Sequence, residues 1–411
     1  MPRSPSSSAA CASGLHALWL GATWLAAGHD EVIVLAVDVL SRPGHDHFEG
    51  LRVLATDPAP WQPTASGFIP GEAAVALRLR RVTDAATRAS PRAPTKSNEP
   101  PISGLPADHS AAIDALGHDV ASQVPSMLTS LAQPRDGAES LGAWLPIITG
   151  PALAHDRENV DALGELARTI AAVRPELVIG QGTGPVAVDD RELAAIRTTV
   201  SPQVPLTTAL THFGHIVGAS GLLSVALAAL GQHARIPSLA MSHATASDGR
   251  VLGVARGAAL VTCRALGGAC AALGISGSNA DDVRPLPAEC GWSTPAPPPP
   301  LRMPLLRRLA EEAIAHRPEV PPGVVLVRLD EPLVPPDDAR IGGRLLPSVV
   351  LEMTPGFLAQ LVARAWGYGG PALCVVGGTE ACWEHTLATC RQVHGSVAVL
   401  HVHRRDFEWR S

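Results

Sequence analysis

The sequence predicts an α/β fold built from layers of helices and strands. Short runs rich in Val, Ile and Leu, such as "EVIVLAVDVL" at 31–40 and "GVVLVRL" at 323–329, are typical of buried strands. Helix-like segments rich in Ala and Leu alternate with these runs along the chain, a pattern that favours a layered α/β architecture. With 411 residues, of which 46% are hydrophobic, the chain is long enough to bury a large core.

The first two-thirds of the chain alternate helices, strands and turns. Residues 11–28 predict a helix, 31–40 a buried strand, and "GFIPGEAAVALRLRRV" at 67–82 a turn and a second strand. The Pro-, Ser- and Thr-rich stretch at 83–104 predicts a long surface loop. The pattern then predicts one or two helices within 108–132, a helix, strand and turn over 159–184, a helix at 189–196, a Gly- and Ala-rich helix within 211–232, and two strands within 257–276 joined at Gly267–Gly268.

A proline-rich segment divides the chain. "STPAPPPPLRMP" at 293–304 is typical of a stiff linker, so we predict a first domain at 1–285, a linker at 286–304 and a second unit at 305–411. The second unit predicts a helix at 304–316, a strand at 323–329, a helix near 355–366, a strand at 372–378, a helix at 380–393 and a strand at 395–403. Its turn–helix–strand order at 377–403 partly repeats the order at 9–38.

Composition and charge exclude several kinds of partner. The formal net charge of −6 argues against nucleic acid or an anionic membrane, and aromatic residues, at 3%, are too few for a base-stacking surface. No apolar run is long enough to span a bilayer, and the signal-like opening leads directly into a strand, as in a helix–strand unit. The seven cysteines form no CxxC pair and no cluster with zinc-like spacing, so we expect a reduced, cytoplasmic protein without a metal site.

Four stretches carry recognisable motifs in a fixed order. They are "ACASGLHAL" at 10–18, "PWQPTASGFIPGEAAVALRL" at 60–79, "GQGTGPVAVDDRE" at 180–192 and "THFGHIVGASG" at 211–221. Together they resemble the β-ketoacyl synthase (ketosynthase) family, which has the thiolase fold. The first is similar to the family's nucleophile turn, the third to its His-Gly-Thr-Gly-Thr motif and the fourth to its Gly-His-x-x-Gly-Ala-x-Gly motif. The resemblance covers about residues 5–276 and implies a thiolase-like layered α/β/α/β/α fold, incomplete or rearranged.

The sequence departs from the family pattern at catalytic positions. Gln181 stands where the family has its first catalytic histidine, and Leu210 stands where it has a lysine, five residues before the second histidine, His215. The family also has well over a hundred residues before its cysteine, whereas Cys11 lies near the beginning of this sequence. We therefore expect decarboxylation to be weak or restricted to particular substrates.

The second unit resembles a different part of the same family. Residues 345–390 are similar to the segment of a ketosynthase that runs up to and past the nucleophile turn. That turn is Gly377–Gly378–Thr379, without a cysteine, as in the non-nucleophilic chain-length factors. The chain thus resembles the later part of one ketosynthase joined to the early part of another.

The resemblance implies a set of chemical roles. Cys11 would accept an acyl group as a thiolate, and we expect the following helix to lower its pKa. His215 and Gln181 would donate hydrogen bonds to the enolate formed from malonyl–carrier protein, and backbone N–H groups at Cys11 and at Gly267 and Gly268 would form an oxyanion hole. The substrates would be acyl and malonyl thioesters on acyl carrier protein, with no cofactor. A homo- or heterodimer with a ketosynthase is implied as well.

Three functions remain open from the sequence alone. The first is an acyltransferase of the β-ketoacyl synthase type, in fatty-acid or polyketide biosynthesis, that performs a decarboxylative Claisen condensation. The second is a non-catalytic, chain-length-factor-like subunit of a ketosynthase heterodimer, which Gln181, Leu210 and the cysteine-free second turn favour. The third is a truncated, inactive homologue. Rapid alkylation of Cys11, co-purification with a ketosynthase, and the DNA upstream of Met1 distinguish the three.

Overall fold

The computed structural model describes most of the chain outside one long internal stretch. The described residues are 5–56, 66–80, 147–156, 161–171, 174–231, 258–265, 268–276, Trp292, Pro295, Pro297, 299–331, 333–335, 340–341, 344–403 and 406–410. The predicted loop at 83–104, the predicted helices within 108–132 and most of the predicted linker lie outside the described residues.

The N-terminal part of the chain contains a short strand, a helix and then two paired strands that are separated by a second helix. Strands β2 and β3 pair with each other in antiparallel fashion over their full lengths. The elements are β1 (Ser6–Ser8), α1 (Ser13–Ala26), β2 (Glu31–Asp38), α2 (Arg42–Leu51) and β3 (Ala73–Arg80).

The middle of the chain forms a five-stranded mixed sheet. The elements are β4 (Ile147–His155), α3 (Ala162–Ala171), β5 (Leu177–Ile179), α4 (Val186–Arg197), β6 (Leu206–Thr207), α5 (Leu210–Phe213), a 3₁₀ turn (Val217–Ala219), α6 (Ser220–Gly231), β7 (Ala259–Arg264) and β8 (Ala269–Ser276). The strand order is β4-β8-β7-β5-β6, in which β5 is parallel to both β6 and β7. The predicted pair of strands around Gly267–Gly268 is β7 and β8, which are antiparallel.

The C-terminal part forms a second five-stranded sheet. The elements are α7 (Pro304–Ala315), β9 (Val324–Leu329), β10 (Arg340–Ile341), β11 (Arg344–Leu345), α8 (Pro347–Glu352), α9 (Pro355–Trp366), β12 (Ala372–Val376), α10 (Glu380–His394), β13 (Val397–Val402) and β14 (Phe407–Arg410). The strand order is β1-β12-β9-β13-β14, and β9 is parallel to both β12 and β13. Because β1 belongs to this sheet, residues of the predicted first domain and of the predicted second unit share one sheet.

Both sheets are buried on two faces, which gives five layers. Side chains of β9 alternate between two apolar cores: Val324 and Leu326 enter a central core, and Val325 and Val327 enter an outer one. The outer core contains residues of α7 and α9. The other sheet divides its side chains in the same way, between the central core and an outer core with α3 and α4. Helices α1, α6 and α10 contribute to the central core, so the predicted α/β/α/β/α layering is confirmed.

Helix α1 lies in the middle layer and is almost entirely apolar. Leu15 and Leu18 are fully buried. Two glycines let neighbouring elements approach closely: a Cβ on Gly14 would lie 2.8 Å from the carbonyl oxygen of Gly218, and one on Gly21 would lie 2.8 Å from Val34. The sequence resembled a signal peptide because this helix is buried on all sides and lacks a polar face. Among the described residues, none of the helices has the length and apolar character to cross a membrane.

The pairing of β1 with β12 is consistent with a local two-fold axis that passes between Ser7 and Val375. The strands are antiparallel, and Ser7 faces Val375, which lies 368 positions further along the chain. The same offset carries the last residue of α1, Ala26, onto the last residue of α10, His394. The imidazole of His394 stacks on Trp19 at a ring-centroid distance of 4.7 Å. The two strand–turn–helix units that repeat in the sequence therefore face each other within one chain.

Candidate active site

The turn between β1 and α1 presents Cys11 at the central layer. Ala10 has a φ of 49°, a left-handed conformation that an alanine seldom adopts, so the chain bends sharply before the cysteine. Ser13 fixes this bend, because its hydroxyl accepts a hydrogen bond from the Ala9 N–H at 2.8 Å and donates one to the Ala10 carbonyl at 2.6 Å. Helix α1 begins at Ser13, two residues after the thiol.

The predicted lowering of the Cys11 pKa is wrong. Burial, helped by the negative charge of Asp38, raises the pKa of the Cys11 thiol to about 12. The cysteine is only 6% exposed, so the cost of removing a thiolate from water exceeds the attraction of the helix N-terminus. Asp38 itself is at the end of β2, and its carboxylate accepts a hydrogen bond from the Ala219 N–H at 3.2 Å. The thiol is therefore protonated at neutral pH.

His215 is held by a segment that the sequence places far away. Its backbone N–H donates to the Ile69 carbonyl at 2.7 Å, and its carbonyl accepts from the Gly71 N–H at 3.0 Å. The Phe68 ring packs edge-on against the imidazole, with ring centroids 4.4 Å apart. A Cβ on Gly71 would overlap the backbone of Phe213, so this close approach requires glycine.

Cys11 and His215 form a buried dyad. The Cys11 Sγ lies 3.2 Å from the His215 Nε2, and His215 is 2% exposed. Burial lowers the pKa of His215 to about 4, so the imidazole is neutral. Its Nδ1 lies 3.5 Å from the Ser220 hydroxyl, which can accept a hydrogen from Nδ1; in that tautomer, Nε2 is the acceptor for the thiol hydrogen.

Gln181 lies in the same site with its amide orientation fixed. Its side-chain oxygen accepts the Arg264 backbone N–H at 2.8 Å and lies 3.4 Å from the Cys263 Sγ. The amide nitrogen, Nε2, is buried and has no hydrogen-bond partner among the described residues. The amide lowers the pKa of the Cys11 thiol slightly, against the larger effect of burial, so it can donate to the sulphur once the thiol is ionised. The site thus contains one unsatisfied N–H donor next to the dyad.

Two acidic residues organise the loop that carries Gln181. The Glu192 carboxylate accepts the backbone N–H groups of Gln181 and Gly182 at 2.7 and 2.8 Å. The Asp189 carboxylate accepts the Gly184 N–H at 3.0 Å. Both acids are buried, at 2% and 1% exposed. The Glu192 carboxylate also accepts from the Thr262 hydroxyl of β7 at 3.5 Å. These contacts indicate a structural function for the two acids.

A small cavity adjoins Gln181 at the position where the family has its lysine. Leu210, Gln181, Thr208 and Cys263 are among its lining residues, and it has room for about one water molecule. Leu210 is 4% exposed and brings no charge to this place. An acyl chain does not fit without movement of the surrounding side chains.

The backbone N–H groups predicted to form the oxyanion hole differ in whether they are available to a substrate. Gly268 has a φ of 95°, and its N–H donates to the Ala265 carbonyl at 2.9 Å, so this amide is already used within the β7–β8 turn. Gly267 lies outside the described residues. The turn is further fixed by Arg264, whose guanidinium is bonded to Asp156. The backbone N–H of Cys11 therefore remains the predicted oxyanion donor.

The second turn, in the C-terminal part, carries no nucleophile. Gly377 and Gly378 have φ values of 63° and 91°, and Thr379 caps α10 by accepting the Cys382 N–H at 3.3 Å. Cys382 is buried, and it lies within the helix rather than on the turn. The second turn also connects a strand to a helix, but it has two successive residues with positive φ where the Cys11 turn has one, and it carries no thiol.

Sequence reasoning missed two neighbours of the dyad. The Cys263 thiol donates to the Cys11 carbonyl at 3.0 Å, and Asp38 acts on the Cys11 charge. Nothing in a single sequence singles out these residues, because Cys263 lies in a strand that is buried throughout and Asp38 lies at the end of a strand. All six described cysteines are buried and free of disulfides.

The comparisons with known proteins agree with this geometry. Residues 3–85, which include Cys11, match the family described as "Beta-ketoacyl synthase, N-terminal domain". The structure superposes on "PfaC Keto synthase-Chain length factor" with a TM-score of 0.64 at 13% sequence identity, over 96% of this chain. The chain therefore has a thiolase-like fold, and its residues 3–85 are similar to the N-terminal domain of β-ketoacyl synthases. It spans about half of that structural neighbour, 53% of its length.

Two further solved ketosynthases resemble the chain less closely. They are a β-ketoacyl synthase from Burkholderia phymatum STM815 (18% identity, 67% of this chain, 61% of that chain, TM-score 0.44) and the ketosynthase ApeO in complex with its chain length factor ApeC from Xenorhabdus doucetiae (18%, 66%, 59%, 0.43). Both TM-scores are below 0.5, so these two structures add no support to the fold assignment. No curated protein matches the chain in sequence.

Proposed function

We propose that this β-ketoacyl synthase-like protein accepts an acyl group on Cys11 and catalyses decarboxylative condensation only weakly. The observation that carries the proposal is the buried contact of 3.2 Å between the Cys11 Sγ and the His215 Nε2. A nucleophile within hydrogen-bond reach of a base is the arrangement that nucleophilic acyl transfer requires. The proposed substrates are acyl and malonyl thioesters on an acyl carrier protein, as in the family.

In the proposed acyl transfer, the thiol does not ionise in advance. With the pKa of Cys11 near 12 and that of His215 near 4, the proton moves from Sγ to Nε2 only as the sulphur attacks the thioester carbonyl. The new bond joins the Cys11 sulphur to the acyl carbon, and the donor's carbon–sulphur bond breaks. The donor leaves as a thiol after it takes the proton back from His215. Because this proton transfer is uphill, we expect slow acylation.

The proposed condensation depends on how an enolate is stabilised. Loss of CO₂ from a malonyl thioester leaves an enolate, whose carbon would attack the acyl group on Cys11 and release the Cys11 thiolate, which then takes a proton from solvent water. The Gln181 amide offers one donor to the enolate oxygen, but it is neither a cation nor a general acid. Leu210 supplies no charge. We therefore expect decarboxylation to lag well behind acylation.

The test is covalent labelling of the full chain by an acyl-N-acetylcysteamine thioester, followed by intact-protein mass spectrometry. We expect one acyl group per chain, bound at Cys11, and none in the variant Cys11→Ala. The matched control is Cys382→Ala, which removes a buried thiol near the second turn and should leave labelling unchanged. Absence of label in the wild type, or label that survives in Cys11→Ala, contradicts the proposal.

A second function is favoured by a specific set of residues. Gln181, Leu210 and the cysteine-free turn at Gly377–Thr379 support a non-catalytic subunit that shapes the acyl tunnel of a partner ketosynthase. Affinity capture from the native cell distinguishes the two functions when it is combined with the labelling experiment. An unlabelled chain that co-purifies with an active ketosynthase supports the second function, whereas a labelled chain supports the first.

The proposed partners and compartment follow the same reasoning. Acyl carrier protein is the proposed donor of both thioesters, and a homo- or heterodimer with a ketosynthase is the proposed assembly. Six buried cysteines without disulfides support a reducing compartment such as the cytoplasm. Whether the product belongs to fatty-acid or polyketide biosynthesis depends on the acyl chain that Cys11 accepts.

A further inference from the structure

Three side chains with metal-binding atoms meet in the C-terminal sheet, away from the Cys11 site. They are Asp330, which follows β9, and His401 and His403, which lie at the end of β13 and just beyond it. One ligand atom from each residue lies within 4.8 Å of the others. We propose that this cluster, here called the Asp–His–His site, binds one divalent transition-metal ion of the Zn²⁺ type.

The sheet explains why residues so far apart in sequence converge. Strands β9 and β13 are parallel, and His401 is paired with Arg328. Side chains two residues apart lie on the same face of a strand, so His403 and Asp330 follow on the face of this pair. The carboxyl ends of parallel strands are where α/β sheets place ligands. The sequence predicted no metal site because Asp330 and His401 are 71 residues apart.

The donor set suits a borderline transition metal. Two imidazoles and one carboxylate are ligands that Zn²⁺ accepts, with one coordination position left open. Ligand atoms around a tetrahedral ion at about 2.1 Å lie about 3.4 Å apart. The Asp330 Oδ2 and the His401 Nε2 are 2.6 Å apart, so they have to separate slightly, and the other distances have to close slightly.

A change of tautomer at His401 would free a nitrogen for the metal without giving the imidazole a charge. In the structure, a hydrogen on the His401 Nε2 bridges to Asp330. The His401 side chain is only 8% exposed. Its Nδ1 is buried and has no hydrogen-bond partner among the described residues. If the hydrogen resides on Nδ1, Nε2 is free to bind the metal.

The surroundings orient the carboxylate and balance its charge. The Arg328 Nε donates to the Asp330 Oδ1 at 2.7 Å, which leaves Oδ2 directed toward the histidines. The Arg328 guanidinium is itself paired with Glu380 at 2.6 Å, so its charge is compensated. Such outer contacts fix first-shell ligands in metal sites. Glu408 faces His401 across the β13–β14 ladder and supplies a further carboxylate on that face.

His403 distinguishes a metal site from a simple ion pair. Its ring lies against the His401 ring, with centroids 4.2 Å apart, although it is exposed and free to point into solvent. Two protonated imidazoles at this distance would repel each other. A metal ion bound by both imidazoles would hold the two rings together.

The experiment is titration of the chelator-treated full chain with Zn²⁺ in competition with a chromophoric chelator. We expect one tight site per chain and a weakening of at least about tenfold in His403→Ala and in Asp330→Asn. Because His403 is exposed, His403→Ala should fold like the wild type, which circular dichroism checks. The matched control, His45→Ala, removes a histidine from the exposed cluster His45, Asp46 and Glu49 and should bind normally.

Three results overturn the proposal. They are absence of Zn²⁺ binding at micromolar concentrations, unchanged affinity in His403→Ala, and a loss in His45→Ala as large as that in His403→Ala. The second result would place the bound ion outside the Asp–His–His site, and the third would place it at the exposed cluster on α2.

Discussion

At the scale of single residues, Gln181 stands at the position where the sequence motif predicts a catalytic histidine, and it offers different chemistry. Its N–H and carbonyl are bonded to Glu192 and Thr208, and its amide oxygen is occupied by the Arg264 N–H. The amide NH₂ is the part left for a substrate. Such a donor stabilises a developing negative charge through one hydrogen bond, without the full positive charge of an imidazolium.

A first prediction concerns this residue and rests on the proposed function. In Gln181→Ala, decarboxylation of a malonyl thioester should fall by about 10²-fold, because one oriented donor is lost. In Gln181→His, it should rise by about tenfold, because an imidazole N–H is a stronger hydrogen-bond donor to a developing enolate than an amide N–H. Release of CO₂ from labelled malonyl thioester measures both changes. The exposed Gln203→Ala is the control, and equal rates in all variants contradict the role of Gln181.

The sequence anticipated which side chains meet at the site but not their ionisation. Cys11 and His215 are 204 residues apart, and only their motifs suggested that they would come together. The pKa of the thiol was predicted in the wrong direction because a sequence shows the helix that follows a cysteine but not the depth at which the cysteine is buried. Asp38, which also raises the thiol pKa, carries no motif at all.

At the scale of elements, the nucleophile turn rests on the C-terminal part of the chain. Strand β1 pairs with β12, and α9 packs against the start of the turn. A Cβ on Gly356 would lie 2.5 Å from the Ala9 Cα and 2.6 Å from the Ser8 carbonyl oxygen. The first turn of α9 therefore touches the backbone directly before Cys11.

A second prediction uses this contact. Gly356→Ala should lower the free energy of unfolding by about 2 kcal/mol, because backbone cannot yield as a flexible side chain does. Acylation of Cys11 should slow, since the turn is displaced. Denaturant unfolding and the labelling assay measure the two effects.

The control for this prediction is Gly50→Ala in α2. Gly50 has open space around its Cβ position, so the substitution should be neutral or stabilise by up to about 1 kcal/mol through helix propensity. If Gly356→Ala behaves like Gly50→Ala, the C-terminal part does not support the turn.

Elements with strong local signals were predicted well, and those without were missed. Helix α9 was predicted at its observed bounds because Pro355 opens it and Gly367 closes it in a left-handed conformation. Strand β1 was missed because three serines show no apolar pattern, and only β12 makes them a strand. Helix α2 was missed because its sequence, Arg42–Leu51, is polar and contains Pro and Gly near its start.

At the scale of the whole molecule, two buried neutral histidines make stability depend on pH. Burial, with a smaller effect of His155, lowers the pKa of His16 to about 3, and burial lowers that of His215 to about 4. In the unfolded chain, both titrate near 6.5. The unfolded state therefore binds more protons below pH 6.5, and stability falls as the pH drops from 6.5 toward 4.

The third prediction gives this effect a size. Between pH 7 and pH 5, the free energy of unfolding should fall by about 2 kcal/mol for each histidine, or about 4 kcal/mol for both. Chemical denaturation at the two pH values measures the difference. In His16→Gln, the fall attributed to this pair should be about half as large, whereas the exposed His45→Gln should leave it unchanged. An undiminished fall in His16→Gln refutes the assignment.

The pairing of β1 with β12 also fixes the time at which the site forms. Thr23 in α1 and its hydrogen-bond partner His394 in α10 are 371 residues apart. At roughly 5–20 residues per second, a ribosome needs about 20–70 s to synthesise the chain between Thr23 and His394. During that interval, the Cys11 turn has neither its neighbouring strand nor the first turn of α9 behind it. Cys11 is synthesised several hundred residues before β12 and α10, and it reaches its final position only after both of these elements have been made.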